Sequence, residues 1–179
     1  METPPVKYAL GTLSHIEPRT FGEPGNRTFH LAIEAGPAVA TVWLEKEQLF
    51  QLGLGLQDAL QALSAEERDK PSGSAEAEWS GAELSLDFKA GQMSLEYGHE
   101  SNSFRLTAYE VQTEDSDVSP EDTSSVSFWI TTVQAGKVSE EALRICAAGR
   151  PRCFLCSLPI DPEGHVCPRS KGHTVFEAG

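Results

Sequence analysis

The sequence predicts an α+β fold, in which a mostly antiparallel sheet is backed by two helices on one face. Several short runs alternate between apolar and polar residues, as half-buried strands do. Two longer stretches instead repeat apolar residues every three or four positions, as amphipathic helices do. The runs of strands cluster before each helix, which is typical of α+β domains. At 179 residues the chain is long enough to bury a core.

The first part of the chain predicts three strands and a helix. Residues of Thr28–Glu34 alternate between apolar and polar, whereas Val39–Leu44 is apolar on both faces and fits a central strand. The other predicted strand is Tyr8–Leu13, and a turn-rich stretch over residues 21–27 precedes Thr28. A helix is predicted from Glu45 to Leu63, because five leucines recur at three- and four-residue steps. Gly53 and Gly55 weaken this helix by about 1 kcal/mol each and allow a break.

The second part predicts the same kinds of element again. Residues 64–77 have no apolar periodicity and are predicted to form a mobile linker. Two alternating runs on either side of Lys-Ala-Gly-Gln predict a hairpin. An acidic loop is expected over residues 113–124, and Thr-Thr-Val-Gln predicts a capped helix start near Thr131, with a stop at Gly149. The predicted strands are Leu84–Phe88, Met93–Tyr97, Phe104–Val111 and Val126–Ile130.

The two strand-to-helix junctions are similar at a constant offset of 86 residues. Trp43 and Trp129 each end a predicted strand, and Gln48 and Gln134 each follow about one turn into the helix. One interpretation is a duplicated strand-strand-strand-helix unit. The other is that such junctions are alike by chance. Both tryptophans are predicted to be core residues.

The net charge of −13 is high for a chain of this size and is unevenly distributed. Residues 150–173 carry a local balance of +2, so the remaining chain carries −15. This acidity argues against general binding of the main body to nucleic acid or anionic membranes. No apolar run is long enough to span a bilayer, and Met-Glu-Thr-Pro-Pro lacks the features of a secretory signal. We therefore expect a cytoplasmic protein.

Cysteine and histidine residues cluster near the C-terminus. Cys-x-x-Cys followed by His-x-Cys is a spacing typical of tetrahedral zinc sites. The predicted ligands of one structural Zn²⁺ are Cys153, Cys156, His165 and Cys167, with His173 as the alternative fourth ligand. We accordingly divide the chain into an α+β body at 1–149 and a zinc-ribbon-like knuckle at 150–176.

Other reactive side chains have simpler interpretations. Cys146 lies on the second predicted helix and is expected to be a small buried residue. His15 and His99 are expected at the surface. Glu23, Arg27 and His30 flank one turn, where a local ion pair is expected and a ligand-binding loop is the alternative. The sequence contains no phosphate-binding glycine loop, nucleophile elbow or zinc-protease helix motif.

The C-terminal segment resembles a bacterial family of unknown function whose members have about this length. The resemblance rests on Cys-Phe-Leu-Cys-Ser, on Asp-Pro-Glu-Gly-His-Val-Cys-Pro-Arg-Ser-Lys-Gly, and on the turn from Gly22 to Phe29. This chain departs from the family motif at Phe154, Ser157 and Lys171. Family members often end in Asn-Gly-Tyr where this chain has Lys-Gly-His173, so the resemblance favours His165 as the fourth ligand. It implies no activity.

Three functions remain compatible with the sequence. The favoured one is a non-enzymatic interaction or adaptor protein, whose zinc knuckle docks a protein partner. The second is a nucleic-acid-associated protein that uses the basic residues beside the zinc, which the acidic body opposes. The third is an enzyme whose site is assembled from distant residues. The sequence leaves enzymatic activity uncertain and leans against it.

Overall fold

The structure is a computed structural model that describes residues 5–23, 25–73, 75–114, 119 and 122–147. Within these residues it has seven strands and three helices, which confirms a mostly antiparallel α+β architecture. The elements are β1 (Tyr8–Thr12), β2 (His15–Phe21), β3 (Thr28–Ala35), β4 (Ala38–Leu44), α1 (Lys46–Ala62), α2 (Ala65–Asp69), β5 (Leu84–Gly98), β6 (Ser103–Glu110), β7 (Ser125–Thr131) and α3 (Thr132–Ala147).

All seven strands form one mixed sheet in the order β1-β7-β6-β5-β4-β3-β2. Its pairs are antiparallel except β1 with β7 and β4 with β5, which are parallel. The outermost strands, β1 and β2, are separated by Leu13 and Ser14 alone. The Leu13 N–H donates to the carbonyl of Trp129 in β7, and the Ser14 N–H donates to that of Glu34 in β3, both at 3.0 Å. The two edges of the sheet therefore meet at this dipeptide.

Strand β2 is absent from the sequence-based prediction. Its residues are mostly polar and partly exposed, and Pro18 lies in its middle. A strand at the edge of a sheet tolerates both proline and polar side chains. Such a strand lacks the alternation of apolar and polar residues by which strands are predicted from sequence. Here β2 pairs with β3 along its whole length, from His15 opposite Glu34 to Phe21 opposite Thr28.

Strand β5 is one long strand, so the predicted hairpin over 84–97 is wrong. Its first part pairs with β4 in parallel, and its second part pairs with β6 in antiparallel orientation. A register shift between Ala90 and Met93 separates the two parts. A Cβ on Gly91 would lie 3.0 Å from the Cα of Val111, so glycine lets the chain after β6 pass close to this bulge.

Helix α1 is continuous, so the break allowed at its two glycines does not occur. Gly53 lies where α3 crosses α1, and a Cβ there would be 3.1 Å from the side chain of Leu143. Ser139 Oγ also donates to the Gly53 carbonyl at 2.8 Å. The glycine therefore permits close helix–helix packing, which offsets its low helix propensity.

The prediction of a mobile linker over residues 64–77 is wrong, because the described residues of this segment include a short helix and hydrogen bonds to the rest of the fold. Ser64 caps α2 in a reciprocal capping box with Glu67. The fully buried Asn102 then attaches this segment to the β5–β6 turn, since its Nδ2 donates to the carbonyls of Glu67 (2.8 Å) and Lys70 (2.7 Å). Further along, the Thr12 N–H donates to the Glu76 carbonyl. Apolar periodicity did not predict the structure of this segment, because hydrogen bonds rather than buried apolar side chains attach it to the rest of the fold.

The buried face of the sheet and the inner faces of α1 and α3 form one apolar core. The predicted buried stripe of α3, which is Val138, Ala142 and Ile145, is confirmed. Cys146 is also buried, with 4% of its surface exposed, as expected. Trp43 and Trp129 are not core residues, because strand alternation points both to the outer face, where each is partly exposed.

The same arrangement of elements occurs twice. The segment β1–β2 pairs first in parallel with β7 and then in antiparallel orientation with β3, and β5 pairs in the same two ways with β4 and β6. In each half, two further strands and a helix follow.

Of the predicted acidic loop, residues 115–118, 120 and 121 lie outside the described part of the chain. No helix among the described residues is long and apolar enough to cross a membrane.

Candidate functional site

The predicted zinc ligands lie outside the described residues, and so does the whole proposed knuckle at 150–176. The five side chains concerned are Cys153, Cys156, His165, Cys167 and His173. The described chain ends at Ala147, the last residue of α3. Next to it, Cys146 Sγ lies 3.8 Å from the Lys46 carbonyl oxygen. The described chain therefore ends beside the first turn of α1.

A cleft of about 340 Å³ lies between α1 and the second part of β5. We call it the α1–β5 cleft. Its apolar surface comes from Leu52, Met93 and Leu95, of which Leu52 is buried and the other two are half-buried. The remaining lining residues are Glu47, Gln48, Gln51, Gly55, Gly91 and Ser94.

Gln48 fixes the geometry of this cleft at one end. Its Oε1 accepts from the Glu45 N–H at 2.7 Å, which closes the capping box of α1. Its Nε2 donates to the carbonyls of Ala90 (3.0 Å) and Gly91 (2.8 Å) at the bulge of β5. One side chain thus satisfies a free helix N–H and two strand carbonyls. The start of α1 is thereby attached to the point where β5 changes partner.

The cleft exists because the two halves of the fold pack differently at this point. Helix α3, from the second half, packs closely against β2 of the first half. The corresponding space beside α1 of the first half faces the second part of β5, and it is the open cleft. Met93 and Leu95 lie on the inner face of β5 and alternate with exposed residues on its outer face. Although they face inwards, both are only half-buried. The cleft is therefore an apolar surface that the described residues do not fully cover.

The rim of the cleft is polar and acidic. Glu47 and Gln51 are exposed one turn apart on α1, and Gln51 Nε2 donates to Glu47 Oε1 at 3.1 Å. Ser94 is exposed on the opposite side. Among the described residues, the cleft is lined by no histidine, cysteine or lysine. It suits the binding of an apolar side chain with a cation beside it.

A second notable arrangement lies on the outer face of the sheet. Arg19, His30, Trp43 and Lys89 occupy directly paired positions on four neighbouring strands. The rings of His30 and Trp43 lie 4.7 Å apart, and Trp43 Nε1 donates to Asp87 Oδ1 at 2.7 Å. Partial burial and the nearby Arg19 guanidinium lower the pKa of His30. A hydrogen bond from Arg19 likewise lowers the pKa of Glu17.

The structure places the other sequence-predicted residues as follows. The His30 ring packs against the Trp43 ring on the neighbouring strand, which the sequence-based grouping with Glu23 and Arg27 does not predict. His15 and His99 are exposed, as expected, and lie near Glu17 and Glu67 respectively. In the described ranges, no group of three or more His, Cys, Asp or Glu side chains is arranged to hold a metal ion.

Sequence reasoning missed the α1–β5 cleft. The cleft is predicted only if β5 is recognised as one bent strand. The sequence Lys-Ala-Gly-Gln instead resembles a hairpin turn and led to the prediction of two strands. One signal was present. Gln48 occupies the N3 position of a helix that follows a strand, where a glutamine side chain is able to reach back to backbone groups.

One family model matches the chain over residues 8–167, and its description is "Protein of unknown function (DUF3090)". The match covers the described fold and continues through the Cys-x-x-Cys and His-x-Cys pairs. No curated protein and no solved structure matches the chain.

Proposed function

The chain belongs to this family of unknown function, and we propose that it is a non-enzymatic interaction protein with one structural zinc ion. The ligands in this proposal are Cys153, Cys156, His165 and Cys167, with His173 as the alternative fourth ligand. The spacing of these residues is the single observation that carries it. Four protein ligands close a tetrahedral site and leave no open position for a substrate.

The length of the segment supports a structural role for the metal. Residues 150–176 are too few to build an apolar core of their own, and zinc binding supplies folding free energy in such segments. The two ligands of each pair, Cys-x-x-Cys and His-x-Cys, are separated by only one or two residues. Each pair is thus able to direct both side chains to one ion.

Charge supports a protein partner. The zinc segment carries a local charge of +2, and the rest of the chain carries −15. A nucleic-acid partner would meet strong repulsion from the body. Cytoplasmic localisation and a bacterial origin belong to the same proposal.

The repeated arrangement of strands and helices supports a further proposal about the origin of the body. Trp43 and Gln48 have counterparts in Trp129 and Gln134 at one constant offset, and the pairing of the strands is the same in the two halves. We propose that the body arose by duplication of a βββα unit.

The zinc site is tested by metal analysis of the purified protein. We expect about one zinc per chain in the wild type and very little in the double variant Cys153→Ser/Cys156→Ser. Cys146→Ser is the matched control, because Cys146 is buried in the body and should leave the metal content unchanged. A wild-type protein purified without zinc from zinc-replete cells would refute the site.

The interaction role is tested by affinity capture of the wild type and the same double variant, with partners identified by mass spectrometry. We expect specific protein partners to be lost from the double variant and retained by Cys146→Ser. An identical set of partners in all three would refute docking through the knuckle. Retention on DNA or RNA that falls steeply with salt would instead favour the nucleic-acid alternative.

A further inference from the structure

The α1–β5 cleft lies close to the point where the C-terminal segment leaves the body. Cys146 contacts the backbone of Lys46, and Glu47, the next residue of α1, lines the cleft. Six residues lie between Ala147 and Phe154. An extended chain covers about 3.3 Å per residue, and a helix is about 10 Å in diameter. The segment is thus long enough to pass around the first turn of α1 and reach the cleft.

The composition of this segment complements the cleft. Phe154 and Leu155 are adjacent apolar residues, and the cleft presents Leu52, Met93 and Leu95. When two cysteines of a Cys-x-x-Cys pair bind one metal, the two side chains between them are left outside the ligand set. A phenylalanine and a leucine in that position gain free energy by leaving water, at about 25 cal/mol per Å² of apolar surface buried.

Charge complementarity also favours docking of this segment in the cleft. Arg150 and Arg152 immediately precede the apolar pair, while exposed Glu47 lies on the rim of the cleft. The body as a whole is strongly acidic, so the basic segment is attracted to it. The volume of about 340 Å³ is at the lower end of ordinary binding pockets, and it suits one or two side chains.

From these observations we infer that the α1–β5 cleft is the docking site of this chain's own residues 150–156, with Phe154 and Leu155 inserted into it. The docked segment would orient the knuckle relative to the body. The segment docks in this way with or without a bound metal ion. This docking therefore goes beyond the proposed function and is separable from it by experiment.

The first test fills the cleft by the substitution Gly55→Phe. A Cβ on Gly55 would meet Leu95 at 3.7 Å, an ordinary contact, so the helix accepts a side chain that projects into the cleft. Trypsin cleaves after Arg152, and docking protects this bond. We expect cleavage at Arg152 in full-length Gly55→Phe to be roughly tenfold faster than in the wild type, because the docked population falls.

The matched control is Gln57→Phe, which places the same side chain at an exposed position of α1 outside the cleft. This variant should be cleaved at the wild-type rate. Equal cleavage rates in Gly55→Phe and Gln57→Phe would overturn the inference.

The second test replaces Phe154 with a photo-crosslinking phenylalanine analogue and maps the crosslinked peptides by mass spectrometry. We expect the main crosslink to join position 154 to the β5 residues Gly91–Leu95 of the same chain. A crosslink elsewhere, or one that isotope-mixed samples show to be between two chains, would overturn docking within one chain.

Zinc content measured on the same preparations separates this inference from the proposed function. A zinc-free wild type that still crosslinks to the cleft refutes the zinc site and supports docking. A zinc-loaded protein without the crosslink supports the zinc site and refutes docking.

Discussion

Gln48 and Gln134 form the same structural junction at two positions 86 residues apart. Each side-chain oxygen accepts the N–H of the residue three positions earlier, at 2.7 Å from Glu45 and 2.9 Å from Thr131. Each side-chain amide NH₂ then donates to backbone carbonyls of a neighbouring part of the sheet. Gln48 reaches Ala90 and Gly91, and Gln134 reaches the carbonyl of Leu13 at 3.2 Å. Both helices are therefore fixed to the sheet at their first turn by one glutamine.

We predict that Gln48→Ala and Gln134→Ala each lower the free energy of unfolding by about 1–2 kcal/mol. Each substitution removes one half of a capping box and leaves strand carbonyls without a donor. Equilibrium denaturation in urea measures the effect. Gln57→Ala, at an exposed position of α1, is the control and should change stability by less than about 0.5 kcal/mol. A loss no larger than that of the control would show that the junctions do not stabilise the fold.

We predict opposite effects at the two glycines of α1. Gly55→Ala should stabilise the protein by about 0.5–1 kcal/mol, because its new Cβ makes an ordinary contact and alanine has the higher helix propensity. Gly53→Leu should destabilise it by about 1–3 kcal/mol, because the larger side chain collides with Ala142 and Leu143 of α3. Thermal and urea unfolding of both variants test this, and effects of the same sign would contradict the packing described.

We predict that Asn102→Ala destabilises the protein by about 2–4 kcal/mol. Asn102 has a positive φ of 49°, and besides the two bonds to the α2 segment its Oδ1 accepts from Tyr97 Oη at 2.5 Å. The estimate combines lost buried hydrogen bonds with the cost of a left-handed conformation in alanine. Asn102→Gly loses the same side-chain bonds without that backbone cost, so it should be about 1 kcal/mol more stable than Asn102→Ala. Equal stability of the two variants would argue against the backbone contribution.

We predict that Arg19→Ala raises the pKa of His30 towards its ordinary value near 6.5. The substitution removes one of the two causes of the lowered pKa and leaves partial burial, the larger one. Asp87→Asn should lower the pKa further, because it removes a nearby negative charge. NMR titration of the imidazole measures both shifts. Arg68→Ala, on α2, is the control, and an unchanged His30 titration in Arg19→Ala would contradict the geometry.

The lowered pKa of His30 also predicts a direction for stability. Between the folded pKa and about pH 6.5, the unfolded chain binds more protons at this residue than the folded chain does. The contribution of His30 to stability is therefore constant above about pH 6.5 and decreases as the pH falls towards the folded pKa. His30→Gln should weaken this part of the pH dependence in urea unfolding curves. An unchanged slope of stability with pH would refute it.

We predict that His165→Ala weakens zinc binding much more than His173→Ala. Loss of one of four ligands in a closed site should lower zinc affinity by at least about tenfold. Competition with a chromophoric chelator measures the affinity of each full-length variant. A larger loss in His173→Ala would make His173 the fourth ligand and His165 a neighbouring residue.

The parts of the fold predicted from the sequence are those with strong periodicity. The leucine pattern predicted α1 within one residue at each end, and Thr131 with Gln134 predicted the start of α3. Apolar periodicity did not predict β2, α2 or the bend of β5. These parts depend on hydrogen bonds or lie at the edge of the sheet, and their sequences lack a regular apolar pattern. The sequence-based prediction also misplaced Trp43 and Trp129, because a large aromatic residue covers the outer face of a sheet as readily as it fills a core.

By itself, the sequence determined the α+β class and the acidic charge, because periodicity and charge are local properties of the chain. It also supplied the zinc hypothesis, which depends on the spacing of residues within one short segment. Only the tertiary structure decided that the two edges of the sheet meet at Leu13 and Ser14, and that α1 leaves a cleft beside β5. Both features depend on contacts between residues far apart in the chain, and no local pattern encodes such contacts.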